Sequence, residues 1–234
     1  MLCLALAVAG CSLTDQTPVY RYRLTVEVDT PDGVKTGSSV IEVDTEVAGE
    51  YSIPTPGRVT NRVRGEAVTV DLGEGRVLFA LLRSEADIDW AGRVMYRLSP
   101  QYAGENALRD GYRNMLRHRP ERTVPRHFSR ADQVNKRSAY PMLVTFGDLD
   151  DPTSVEEVDP DDLAATFGKG ISLKRITVQM TDDPLTAGIE RRLGWLEAHG
   201  RHHASLKPSG SRYLDEAQLI NLVTPGDFST ELYR

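Results

Sequence analysis

Beyond residue 11 the chain has no cysteine; its only two thiols are Cys3 and Cys11. Once the first eleven residues are removed or modified, the folded part has no disulfide, no cysteine-ligated zinc and no cysteine nucleophile. Lysine is scarce as well: of 28 lysines and arginines only five are lysine. That bias fits a GC-rich coding sequence better than selection for the bidentate geometry of arginine. Excess positive charge is missing, the net being −6, which argues against nucleic acid as a partner, because such binding releases counterions from a basic surface. No phosphate loop, dinucleotide fingerprint or Gly-x-Ser-x-Gly occurs, so no cofactor is expected and nucleophilic serine chemistry has no signature. What is present is ordinary globular material, 40% hydrophobic and 26% charged. A chain of 234 residues can bury roughly 70–75% of its unfolded surface without staples.

Met1 to Gly10 carries no polar side chain and runs into Cys11-Ser12. Spanning roughly 30 Å of hydrocarbon takes about 20 helical residues, so this stretch is too short to cross a membrane but suits a signal-peptide core. Val8-Ala9-Gly10-Cys11 resembles the lipobox of bacterial lipoproteins, which implies cleavage before Cys11 and its diacylation. No lysine or arginine precedes Cys11, and a basic segment is therefore expected upstream of Met1. Ser12 after the cysteine resembles lipoproteins sorted to the outer membrane, which implies a domain facing the periplasm. The reading divides the chain into a signal peptide and lipobox (1–11), a tether (12–19) and a single globular domain (20–234). Eight tether residues reach about 28 Å at most, so the domain is expected to work close to its membrane.

Tyr20, Tyr22, Leu24, Val26 and Val28 alternate with polar residues, the period of a half-buried strand. Pro31-Asp32-Gly33 supplies a turn, and Ser38 to Val43 should return beside the first strand. Glu66 to Leu72 and Arg76 to Arg83 predict a second hairpin around Gly73-Glu74-Gly75. Val77 to Leu82, apolar on both faces, belongs in a sheet interior. Ala48 to Arg58 reads as loop, Glu105 to Arg117 as a short helix and Met142 to Phe146 as a strand. Asp159-Pro160 and Asp183-Pro184 each offer a capping carboxylate followed by a proline suited to a first helical turn. The first helix should end at Gly168. The second should run to about His199 with Leu185, Ile189, Leu193 and Leu196 on one face. Between them Ile171 to Met180 suggests a strand, its alternation broken at Lys174-Arg175. The class expected is α+β, rich in antiparallel hairpins in the N-terminal half, with short helices and a further strand in the C-terminal half.

The segments Tyr20 to Val28, Thr36 to Val43, Arg64 to Val68 and Thr181 to Glu190 resemble a family of uncharacterised proteobacterial proteins. The resemblance spreads over most of the domain and implies no particular activity.

Two clusters carry candidate chemistry. Arg109, Arg113, Arg117, Arg119, Arg122, Arg126, Arg130, Lys136 and Arg137 face only Asp110, Glu121 and Asp132, a local charge of about +6 by count. Arg109, Arg113 and Arg117 share a helix face at four-residue spacing, where guanidinium forks can grip phosphate or carboxylate groups. Arg119, Arg122 and Arg126 extend that surface. His199, His202 and His203 follow Glu197, and imidazoles so close can hold zinc, copper or nickel, although His-Glu-x-x-His is absent and Gly200 should break the helix. An acidic stretch from Asp148 to Asp162 opens like a calcium loop and then fails at Pro152.

The leading expectation is a noncatalytic envelope module, lipid-anchored through Cys11, binding a partner protein or an anionic envelope component through its arginines. The alternatives are a metal-assisted hydrolase built on the histidines and an immunity or inhibitor protein of the envelope.

Overall fold

The computed structural model describes residues 14–16, 18–48, 58–100, 107–201, 205–206 and 219–232. Four strands come first: β1 (Thr14–Gln16), β2 (Tyr20–Thr30), β3 (Gly33–Ala48) and β4 (Val59–Arg64). A hairpin of β5 (Val68–Gly73) and β6 (Arg76–Ala80) follows, then helices α1 (Trp90–Arg97) and α2 (Ala107–Arg117). The middle holds β7 (Arg122–Thr123), α3 (Arg130–Val134), β8 (Leu143–Phe146), β9 (Val155–Glu157) and α4 (Leu163–Phe167). Later come β10 (Ser172–Thr181) and the short helices α5 (Leu196–Gly200), α6 (Leu219–Leu222) and α7 (Pro225–Phe228). The fold is α+β, with two antiparallel sheets, strands dominating the first half and short helices after them.

In the first sheet the order is β1-β3-β2-β10-β7, and β4 also pairs with β3. The alternation of β2 is realised: Tyr20, Tyr22, Leu24, Val26 and Val28 are buried while their neighbours are half exposed. Its return strand is longer than the sequence pattern suggested. From Gly33 to Val43 β3 pairs with β2, and its remaining length carries β1 and β4. Among the described residues pairing thus begins at Thr14, inside the segment read as tether. The break at Lys174-Arg175 is a register shift between Leu173 and Arg175, a bulge that restores inward placement to Ile176 and Val178. Strand β4 was not anticipated. It offers only two apolar residues, and cross-strand partners Glu42↔Arg64 and Asp44↔Arg62 set opposite charges side by side.

The second sheet runs β5-β6-β8-β9. Glu74 and Gly75, with φ of 57° and 77°, make the two-residue left-handed turn that matches strand twist. As its two-sided apolar run implies, β6 is interior, between β5 and β8. Leu78 and Ala80 join the core shared with β2, β10 and α1, while Val77, Phe79 and Leu81 join a second core. That second core is completed by Ile189, Leu193, Leu196, Val223 and Phe228. The second sheet is therefore a middle layer, with the first sheet on one side and the C-terminal segments on the other. Each large apolar side chain so enclosed contributes about 1.5–3 kcal/mol.

Two helix expectations are corrected. Asp159 does not open α4; its carboxylate takes the Asp161 N–H, and Asp162 caps the helix by accepting from Ala165 N. Nor does a continuous helix follow Pro184. Residues 182–188 form a strap across the first sheet. Asp183 accepts from Arg21 and Arg23, and Thr186 exchanges two hydrogen bonds with the Val40 backbone. Gly188, at φ 120°, takes a conformation a helix forbids. Helical structure resumes only as a 3₁₀ turn at Ile189–Arg191 and as α5. Ile189, Leu193 and Leu196 are still buried, so the apolar spacing marked the core contacts correctly and the backbone incorrectly.

Candidate functional site

Among the described side chains, the predicted arginines are drawn to different partners rather than to one site. On α2 Arg113 and Arg117 are exposed, and Arg113 lies 3.6 Å from Asp110. Arg109 falls in the first turn of the same helix, its side chain outside the described residues. Arg119 reaches Asp182 at 2.9 Å across the end of the first sheet. Arg126 grips Asp161 with Nε and Nη2, at 3.1 and 2.9 Å, and the bonded pair raises the arginine pKa and lowers that of the aspartate. The basic and acidic segments meet at this point. The remaining acidic residues mostly serve their own backbone: Asp148 accepts from Asp150 N and Asp151 from Thr153 N.

Arg122 turns inward. Its partner across the strands is Val178, fully buried, so both lie on the core side of the first sheet. Nη1 donates to Ser99 Oγ at 3.0 Å, while Nε and Nη2 are buried without a partner. Burial lowers its pKa. Ser99 lies one residue past Leu98, the C-cap of α1, and the negative end of that helix dipole favours a cation there.

A more coherent constellation lies between α1 and α3, where a pocket of about 230 Å³ opens. Its wall includes Trp90, 1% exposed and held by its indole N–H on the Ala139 carbonyl at 2.9 Å. One turn apart on α1, Arg93 and Arg97 enter the lining, and Arg137 enters from beyond α3. Arg93 is committed, donating to Asp87 and Asp89 at 2.8 and 2.7 Å. Arg97 stacks over Phe128 at 4.8 Å. Neither Arg97 nor Arg137 makes an ion pair with any described residue. The lining carboxylates are occupied, Asp87 by Arg93 and Asp132 by the Ser129 hydroxyl at 2.7 Å. The pocket therefore presents two uncommitted guanidinium groups beside one ion-paired carboxylate, Asp87, and one held by a single hydroxyl, Asp132. Arg137 stood in the basic run but was not singled out, and Arg97 was missed because no helix was read over Trp90–Arg97.

A second polar cleft, about 500 Å³, lies beside the strap. At its base Glu66, 7% exposed, accepts the Ile189 N–H at 3.0 Å. Burial raises its pKa, partly offset by that bond. Arg192 pairs with Asp71 at 3.1 Å. Glu66 acts as a clamp joining the β4–β5 connection to the start of the second core.

Of the histidines, His199 places Nε2 2.8 Å from the Ser205 carbonyl oxygen, which accepts that ring proton. His202 and His203, like Cys11, lie outside the described residues. Among the described residues no three His, Cys, Asp or Glu side chains are grouped to hold a metal ion, and no helix is long and apolar enough to cross a membrane. Set against family models, curated proteins and solved structures, the chain finds no match.

Proposed function

We propose that this protein is a lipid-anchored, noncatalytic module of the bacterial cell envelope, held on the outer membrane through Cys11 and facing the periplasm, where it binds an anionic envelope component or partner. The lipobox-like Val8-Ala9-Gly10-Cys11 supports the anchor. The observation that carries the binding role is the α1–α3 pocket, where Arg97 and Arg137 stand without carboxylate partners among the described residues. A guanidinium left uncommitted in a concave site is a ready donor for an incoming anion.

Location is tested by fractionating cells that express the native protein or Cys11→Ala, with intact-mass analysis of the purified products. Native protein in the membrane fraction, carrying acyl mass absent from the variant, is the expected result. Two soluble products of unmodified mass would defeat the anchored reading.

A further inference from the structure

We infer that the pocket between α1 and α3 binds a phosphate ester, its tetrahedral oxyanion held by Arg97 and Arg137 together. This deepens, and rests on, the reading of the protein as an anion-binding envelope module. A planar carboxylate is served by one guanidinium fork, whereas a tetrahedral oxyanion has acceptors pointing in several directions and is best met from different sides. Here the donors come from separate parts of the chain: Arg97 from α1, Arg137 from beyond α3. Ser138 adds a hydroxyl to the same wall. Its oxygen accepts the Tyr140 N–H at 3.1 Å, which leaves the hydroxyl proton to donate. Phe128 covers a face of the Arg97 guanidinium, so its N–H edges are what remain to present. Asp87 accepts the Asp89 N–H, Ser129 caps α3 by accepting the Asp132 N–H, and the Arg137 N–H donates to the Asp132 carbonyl, which fixes the turns that carry the site.

Ligand size follows from the volume. About 230 Å³ exceeds a bare phosphate and leaves room beside Trp90 for a small ester substituent. Ile88, 70% exposed, faces a separate cleft with Val63 and Gly226 and takes no part in this wall. A phospholipid headgroup at a membrane surface supplies a phosphate ester of this kind. A soluble phosphate ester offers the same chemistry, and the experiment separates the two sources.

The full chain carrying Cys11→Ala, which removes any contribution of an anchor, is titrated calorimetrically with inorganic phosphate and with acetate. In parallel it is floated with vesicles of phosphatidylglycerol and phosphatidylcholine, and with phosphatidylcholine alone. The same measurements are made on Arg97→Gln/Arg137→Gln in that background, two exposed positions whose folding is checked by circular dichroism. Phosphate should bind more tightly than acetate, and the double variant should lose at least about tenfold in affinity, the scale of one charge-assisted hydrogen bond. Vesicle binding that needs both phosphatidylglycerol and the two arginines assigns the site to a lipid headgroup. Phosphate binding without vesicle binding assigns it to a soluble ester. Absence of both, equal affinity for acetate, or binding unchanged in the double variant overturns the proposal. Because Cys11 is replaced throughout, none of these outcomes depends on whether the native chain is acylated.

Discussion

A β-carbon built on Gly37 would stand 2.2 Å from the carbonyl oxygen of Thr69. Strand β5 crosses β3 at this point, and glycine permits the two backbones to touch. The obstacle is backbone rather than a side-chain tip, so neither sheet can yield locally. Gly37→Ala should cost about 1–3 kcal/mol, read as a lower urea midpoint at unchanged slope. An unaltered midpoint would contradict the close packing of the sheets.

Two residues along the same strand, Ser39 is fully buried and its hydroxyl has no hydrogen-bond partner. An unsatisfied buried hydroxyl costs about 1–3 kcal/mol. Ser39→Ala removes that penalty at little loss of volume and should leave the protein as stable as before or more stable by about 1 kcal/mol. A clear loss of stability would show that the hydroxyl is serving a partner.

Arg122 raises a similar question with a charge. Two of its nitrogens are buried without partners. Replacing a buried ion by an apolar residue of similar length is often neutral or stabilising. Arg122→Met should therefore unfold at the same temperature as the parent or above it. A fall of several degrees would mean that Ser99 and the end of α1 stabilise the guanidinium more than burial penalises it.

Two carboxylates should respond to pH in opposite directions. Burial raises Glu66 above its ordinary 4.5, so the folded state holds that proton more tightly than the unfolded chain. Its contribution is fully present below the ordinary value and is lost as pH rises through the folded one. Arg126 lowers Asp161 below 3.8, so that contribution is present above the ordinary value and is lost as pH falls through the folded one. Relative to wild type, Glu66→Gln should gain stability from pH 4.5 toward neutrality. Asp161→Asn should show its largest deficit at neutral pH and converge on wild type in acid. Urea unfolding at a series of pH values decides it, and variant curves parallel to wild type would refute both assignments.

Phe228 meets Phe79 at 5.9 Å and Phe146 at 5.7 Å between ring centroids and is fully buried. Phe228→Ala should cost about 3–5 kcal/mol, measurable by denaturant titration. A cost below about 1 kcal/mol would mean that the C-terminal segment is not part of the second core.

Much of the sheet structure was legible because strands impose a period of two on the sequence. Tyr20 to Val28 shows it directly, Val77 to Leu82 announces burial on both sides, and even the bulge at Lys174-Arg175 left its mark. What failed was local inference where tertiary contacts decide. Leu185, Ile189, Leu193 and Leu196 repeat at helical spacing, yet Gly188 and the Thr186–Val40 bonds hold an extended strap. Strand β4 is polar enough to pass for loop, its support coming from β3. The basic run was visible as charge, but charge in sequence does not reveal pairing. Asp161 and Asp182 answer Arg126 and Arg119 from distant segments, and Arg97 acquires its setting only when α3 packs nearby.

The position of β2 has a mechanical consequence. It is the first long strand among the described residues, yet it lies inside the first sheet, between β3 and β10. A pull delivered through the N-terminal residues would run along the strand axis. It would load the ladder from Tyr20 to Thr30 with β3 and the ladder from Arg21 to Asp29 with β10 together. Those bonds must shear as a set rather than open one after another, and β1, paired to the far end of β3, adds its own rungs ahead of them. A domain strung from a membrane by that end would hold its shape under tension that peels an edge strand away.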